Sequence, residues 1–164
     1  DWFVTGSRQF VYIPGKDEIM GKRVTADRRD YKNGYKKQYK TYQLLKQNND
    51  SRLCRCLLLN YSVECGLKFL LLDKFRIVNP QKTSMDEEIE GVLYSHDLRK
   101  LLKKLGQTKF KFPIFETKHG DQIDAENFHQ LCRYAVELDD KNYFKSQQFE
   151  LELSKIADWL EEEI

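Results

Sequence analysis

Apolar residues along this chain recur mostly at steps of three and four. Tyr31, Tyr35, Tyr39, Tyr42 and Leu45 fall on one face of a helix, and Lys36, Lys37 and Lys40 fall on the other. Gly34 weakens this helix by roughly 1 kcal/mol relative to Ala but does not end it. The stretch QNNDS, residues 47–51, stops it and leaves Asp50 or Ser51 to cap the next helix. That helix, from about residue 52 to 75, is apolar around most of its circumference, which predicts the central and most buried element. Asn79-Pro80 ends it, because proline disfavours helix in the residue before it. The polar segment QKTSMDEEIEGV reads as a loop. SHDLRKLLKKLG predicts a short helix, capped by Ser95, with Asp97 near its positive end and Gly106 closing it. KFKFPIFETKHGDQI alternates, contains Pro113 and turns at His119-Gly120-Asp121, so a small β-hairpin or extended excursion is expected near 108–123. DAENFHQLCRYAVEL predicts a helix with Asp124 as N-cap. SQQFELELSKIADWLEEEI predicts the last helix, with Ser146 as N-cap and Phe149, Leu153, Ile156 and Leu160 on one face.

The expected fold class is therefore mainly all-α, an antiparallel up-and-down bundle of about five helices. Turn signals at Gly6, Pro14-Gly15 and Gly21 make residues 1–24 an irregular arm, with QFVYI as a short strand, ahead of a helical domain over 25–164. The first residue is Asp rather than Met, so it is not read as a true terminus. No internal repeat and no low-complexity tract is present.

Composition narrows the class. A length of 164 residues suits one domain, and apolar and aromatic fractions of 40% and 13% argue against disorder. A net charge of +2 advertises no global basic field, although residues 22–40 hold eight Lys or Arg against two Asp and the end, DWLEEEI, is acidic. Cys54, Cys56, Cys65 and Cys132 match no zinc spacing and are expected as buried free thiols in a reducing, cytoplasmic setting. No metal and no cofactor is expected. No secretory signal is seen, and the longest apolar run, residues 67–72, is broken by Lys68 and too short to span a bilayer, so no membrane partner is expected.

Candidate chemistry gathers on four stretches. Glu64 and Lys68 face each other at i and i+4 in the favourable order, either as a semi-buried ion pair that fixes packing or as a groove where Lys68 meets a phosphate. His96 and Asp97 open a helix, where Asp97 caps and His96 is an exposed neighbour or points into a polar cleft. His129 and Arg133 share a helix face beside Tyr134; Arg133 either pairs with Glu126 or Glu137 or offers its planar fork to phosphate while Tyr134 stacks on a base. The basic, tyrosine-rich helix over 28–42 has the composition of an RNA binder, but its tyrosines and lysines occupy different faces. No phosphate-binding glycine loop, dinucleotide fingerprint, H-E-x-x-H or G-x-S-x-G occurs.

Three of these stretches carry a resemblance. NYSVECGLKFLLL resembles the second-helix signature Y-x-x-E-x-x-L-K-x-L-L of the HEPN domain family (higher eukaryotes and prokaryotes nucleotide-binding). YSHDLRKLLKKLG is similar to that family's following H-D-L-x-x-L-L helix, and LCRYAVEL to its later Arg-Tyr element, in the same order. The likeness spans roughly residues 26–162, with motif in about 35 of them. It implies an antiparallel bundle, a homodimer, and work on nucleotides or RNA beside a nucleotidyltransferase or in toxin–antitoxin and defence systems. The ribonucleolytic branch uses an Arg, four to six residues, then a His. None of His96, His119 and His129 completes that motif, and His129 precedes Arg133. The resemblance therefore implies a binding or accessory role, with Arg133, Tyr134, His96 and Lys68 lining the cleft. A divergent ribonuclease using His96 or His129, and a pure interaction module of a larger chain, are the alternatives.

Overall fold

A computed structural model describes residues 24–48 and 51–164. All but the last residue of the arm expected over 1–24, with its short strand, lies outside the described residues, as does Asp50. Six helices and one pair of short strands make up the described chain.

The first helix, α1, spans Arg28–Gln47. Its start is fixed by a reciprocal box, in which Asp27 Oδ1 accepts from the Asp30 amide at 2.9 Å and Asp30 Oδ2 accepts from the Asp27 amide at 3.0 Å. Tyr35, Tyr39 and Tyr42 point inward and stack in series, at 5.9 and 6.1 Å between ring centroids. Lys36, Lys37 and Lys40 face water. The duller expectation for this helix, aromatic core and solvated lysine, therefore holds.

The second helix, α2, spans Arg52–Lys74 and is the axis of the molecule. Leu59, Val63, Leu67, Leu71 and Leu72 are fully buried. It ends in a left-handed residue, Arg76 at φ 56, and the Ile77 amide reaches back to the Leu72 carbonyl at 2.8 Å. Ser51 occupies its N-cap position but makes no side-chain capping bond.

The segment expected as a loop contains a helix. α3, Glu87–Leu93, is capped by Asp86 and carries Glu87, Glu88 and Glu90 in its first turn, where the helix dipole favours acids. α4 spans Leu98–Lys104. Its N-cap is Asp97, which accepts from the Arg99 amide; Ser95, the expected cap, instead accepts from the Asp97 amide one turn earlier. Gly106, at φ 75, closes it as expected.

Strand β1, Phe115–Glu116, pairs antiparallel with β2, Gln122–Ile123, the small hairpin expected within 108–123. α5 spans Phe128–Tyr134 and begins later than expected. Asp124 and Asn127 exchange bonds with the backbone in a turn ahead of it, so Asp124 is not its N-cap. α6 spans Asp140–Glu163 and begins earlier than expected, because Asp139 caps it by accepting from the Asn142 amide at 2.8 Å. Ser146, the expected cap, is buried inside the helix and donates to the Tyr143 carbonyl at 2.6 Å.

Contacts set the helix directions. Tyr35 reaches Glu161 and Ala157, Tyr39 reaches Asp158 and Tyr42 reaches Glu150, so α1 and α6 run antiparallel. Arg28 pairs with Asp73 and Ser62 donates to the Tyr35 carbonyl, so α1 and α2 are antiparallel too. The core continues through a stack of Phe128 on Phe149 at 3.9 Å, flanked by Phe112 and Phe115. Among the described residues all four cysteines are free thiols. Cys56 and Cys132 are buried and Cys65 is half-buried, but Cys54 is exposed, contrary to expectation. Burial pushes the Cys65 thiol up to about 11 and that of Cys132 to about 12. No described helix is long and apolar enough to cross a membrane.

Candidate functional site

One side of α2 presents Tyr61, Glu64 and Lys68 at i, i+3 and i+7, and two other elements close on it. Lys68 Nζ donates to Glu64 Oε1 at 2.6 Å, and the two residues are only 6% and 7% exposed. The chain ahead of α4 brings His96 Nδ1 to 3.1 and 3.3 Å from the two oxygens of the same carboxylate. An ionised carboxylate only accepts, so Nδ1 of His96 is the donor. The second ring nitrogen, Nε2, is then left for a ligand, on a side chain that is 58% exposed.

Helix α5 supplies the far wall. The His129 ring lies 5.2 Å from that of His96 and 6.2 Å from that of Tyr61. One turn on, Arg133 Nη2 donates to the Tyr61 hydroxyl at 2.6 Å. Arg133 and Tyr134 are both exposed. Arg133 pairs with neither Glu126 nor Glu137; Glu137 instead meets Lys118. Burial, helped by His96 and Arg133, lowers the His129 pKa below its ordinary 6.5, while the Glu64 carboxylate and the Glu126 backbone partly oppose this.

Two buried residues here carry unspent hydrogen-bonding capacity. Among the described residues, Nδ1 of His129 has no partner of good geometry, and neither amide atom of Asn60 has one. Asn60, 1% exposed, lies one turn before Glu64 on the same face of α2. Orphaned buried polar atoms are uncommon in folded proteins and mark places where another polar group belongs.

The site therefore unites five of the candidates, Glu64, Lys68, His96, His129 and Arg133, with Tyr134 beside Arg133. Asp97 is turned elsewhere. Burial works against its ionisation, but paired hydrogen bonds of 2.9 Å each from Arg99 prevail and hold its carboxyl below the ordinary range. Arg99 also ties Asp124, so Asp97 anchors α4 to the turn before α5. Sequence reasoning passed over Tyr61 and Asn60. Tyr61 stood in the quoted motif three residues before Glu64, a helical neighbour whose polar tip needed a partner. A recess of about 650 Å³ between α1 and α6, lined by Tyr39, Tyr42 and Asp158 among others, lies apart from this cluster.

Among the described residues no group of three or more His, Cys, Asp or Glu side chains is placed to hold a metal ion. Comparison of the chain with protein-family models, with curated proteins and with solved structures finds no match in any of the three.

Proposed function

We propose that this chain is a HEPN-like helical domain that binds the phosphate and base of a nucleotide or RNA at the α2–α4–α5 cluster. One observation carries the reading. The Glu64 carboxylate is held between the Lys68 ammonium and the His96 ring, and all three residues fall on the stretches whose sequence resembles that family. Glu64 fixes the His96 ring and leaves Nε2 to meet a ligand oxygen. Arg133 Nη2 bonds the Tyr61 hydroxyl, a neutral partner that a phosphate replaces with a stronger, bidentate one. Tyr134, at 68% exposure, offers a face for a base to stack on. Asn60 and His129 supply polar atoms beneath these groups. The domain works as an accessory component, in a homodimer or beside a nucleotidyltransferase partner.

Binding of AMP and of a short RNA to wild type and to Arg133→Ala tests this. The expected result is a loss of about tenfold or more in the variant, since charge-assisted hydrogen bonds contribute about 1.5–3 kcal/mol. Equal binding by both proteins would remove the cluster from the account.

A second reading rests on the two imidazoles 5.2 Å apart, one oriented by a carboxylate and one kept neutral by burial. That pairing suits proton transfer in RNA cleavage without metal. Metal-free incubation with RNA distinguishes it: cleavage abolished by both His96→Ala and His129→Ala supports an enzyme, and no cleavage by wild type leaves the binding role alone.

A further inference from the structure

We propose that a second site, the recess enclosed by the ends of α2, α3 and α4, binds a ligand carrying linked phosphate groups. The recess holds about 490 Å³ and gathers Lys74, Lys100, Lys103 and Lys104 around Phe75, with Glu88 as its one acid among the described residues. Lys68 and Lys74 are six residues apart on α2, roughly 9 Å along the axis, so this place is separate from the Glu64 cluster.

Two of the lysines are already fixed in position. Lys74 Nζ donates to the Lys104 carbonyl at 3.0 Å. The Lys74 and Lys104 ammonium groups lie 5.9 and 5.8 Å from the centre of the Phe75 ring, so the ring orients both. Lys104 also meets Glu88 at 3.0 Å, but that carboxylate side chain is 72% exposed and such a pair is weak. Lys100 and Lys103 are exposed and form no ion pair among the described residues.

Helix ends account for part of this charge. Lys74 sits in the last turn of α2, and Lys103 and Lys104 in the last turn of α4, where cations complement the dipole. That reason does not extend to Lys100, which lies in the first turn of α4. Four ammonium groups against one carboxylate repel one another, and an anion of several charges relieves the repulsion. Carboxylates on a peptide are spread along a backbone, whereas linked phosphates place several charges in a small volume. The compact recess favours the phosphates.

Titration calorimetry with inorganic tripolyphosphate tests the proposal on wild type, Lys100→Glu/Lys103→Glu, the milder Lys100→Gln/Lys103→Gln, and Arg133→Ala. Circular dichroism and Tm report whether each variant folds. Wild type is expected to bind, more weakly as salt rises. The charge reversal is expected to lose about tenfold or more at the recess and the neutral pair less, while Arg133→Ala keeps that lysine-dependent binding and loses only what the Glu64 cluster itself binds. A short single-stranded RNA that competes with tripolyphosphate identifies the phosphates as those of a nucleic-acid strand; one that does not identifies a free phosphate chain. No tripolyphosphate binding, or binding by both double variants as tight as wild type, overturns the proposal. Because Arg133→Ala reports on the other cluster, failure of one site is distinguishable from failure of the other.

Discussion

Glu64 and Lys68 take two full charges out of water at 7% and 6% exposure. Desolvation costs several kcal/mol per ion, and the 2.6 Å contact with the added His96 bond offsets it. Removing one partner strands the other. Lys68→Ala is therefore expected to lower the unfolding free energy by about 3–5 kcal/mol, and Glu64→Leu/Lys68→Met to recover much of that loss. Urea unfolding measures both; a Lys68→Ala loss under about 1 kcal/mol would contradict the account. His129 contributes to the pH dependence near neutrality. Burial lowers its folded pKa below 6.5, so the unfolded chain takes up the proton first as pH falls. Its contribution to stability is complete above that value and is lost as pH drops below it. His129→Gln should flatten the fall in Tm between about pH 7.5 and 5.5; an equal fall in wild type and variant contradicts the assignment.

At the scale of elements, glycine has opposite meanings in two helices. A Cβ added at Gly66 would lie 2.7 Å from Leu160 Cδ1 and 3.1 Å from Tyr35 Cδ2, so Gly66 is where α2 comes close to both α1 and α6. A Cβ at Gly91 in α3 would meet nothing within 4 Å among the described residues. Gly91→Ala is expected to raise stability by about 0.5–1 kcal/mol. Gly66→Ala gains the same propensity but loses about 1–3 kcal/mol to overpacking, a net fall read from the two Tm values. A rise in both would contradict the packing.

The same scale explains what the sequence made legible. α2 was readable because it is apolar on nearly every side, and the tyrosine stripe of α1 because its period is regular. The caps were not. Ser95, Asp124 and Ser146 all have capping chemistry, but Asp97 and Asp139 stand close by, and local preference does not rank one such residue above another. α3 was hidden by its acids, which suit the N-terminal turn of a helix as well as they suit a loop. Within the candidate site, the Glu64–Lys68 pair was legible from its spacing. The approach of His96 and the bond from Arg133 to Tyr61 depend on how residues 75–95 fold back and how α5 docks on α2, and no local pattern encodes either.

At the scale of the molecule, α2 is a shared wall. Its middle carries the Glu64 cluster against His96 and α5, and its end carries the lysine recess against α3 and α4. Nuclear magnetic resonance of the histidine rings during titration with AMP tests the central claim most directly. The account predicts that the His96 ring signals move, with smaller shifts at His129, while His119, exposed at the hairpin turn, stays still. Unmoved His96 signals at saturating AMP would contradict it.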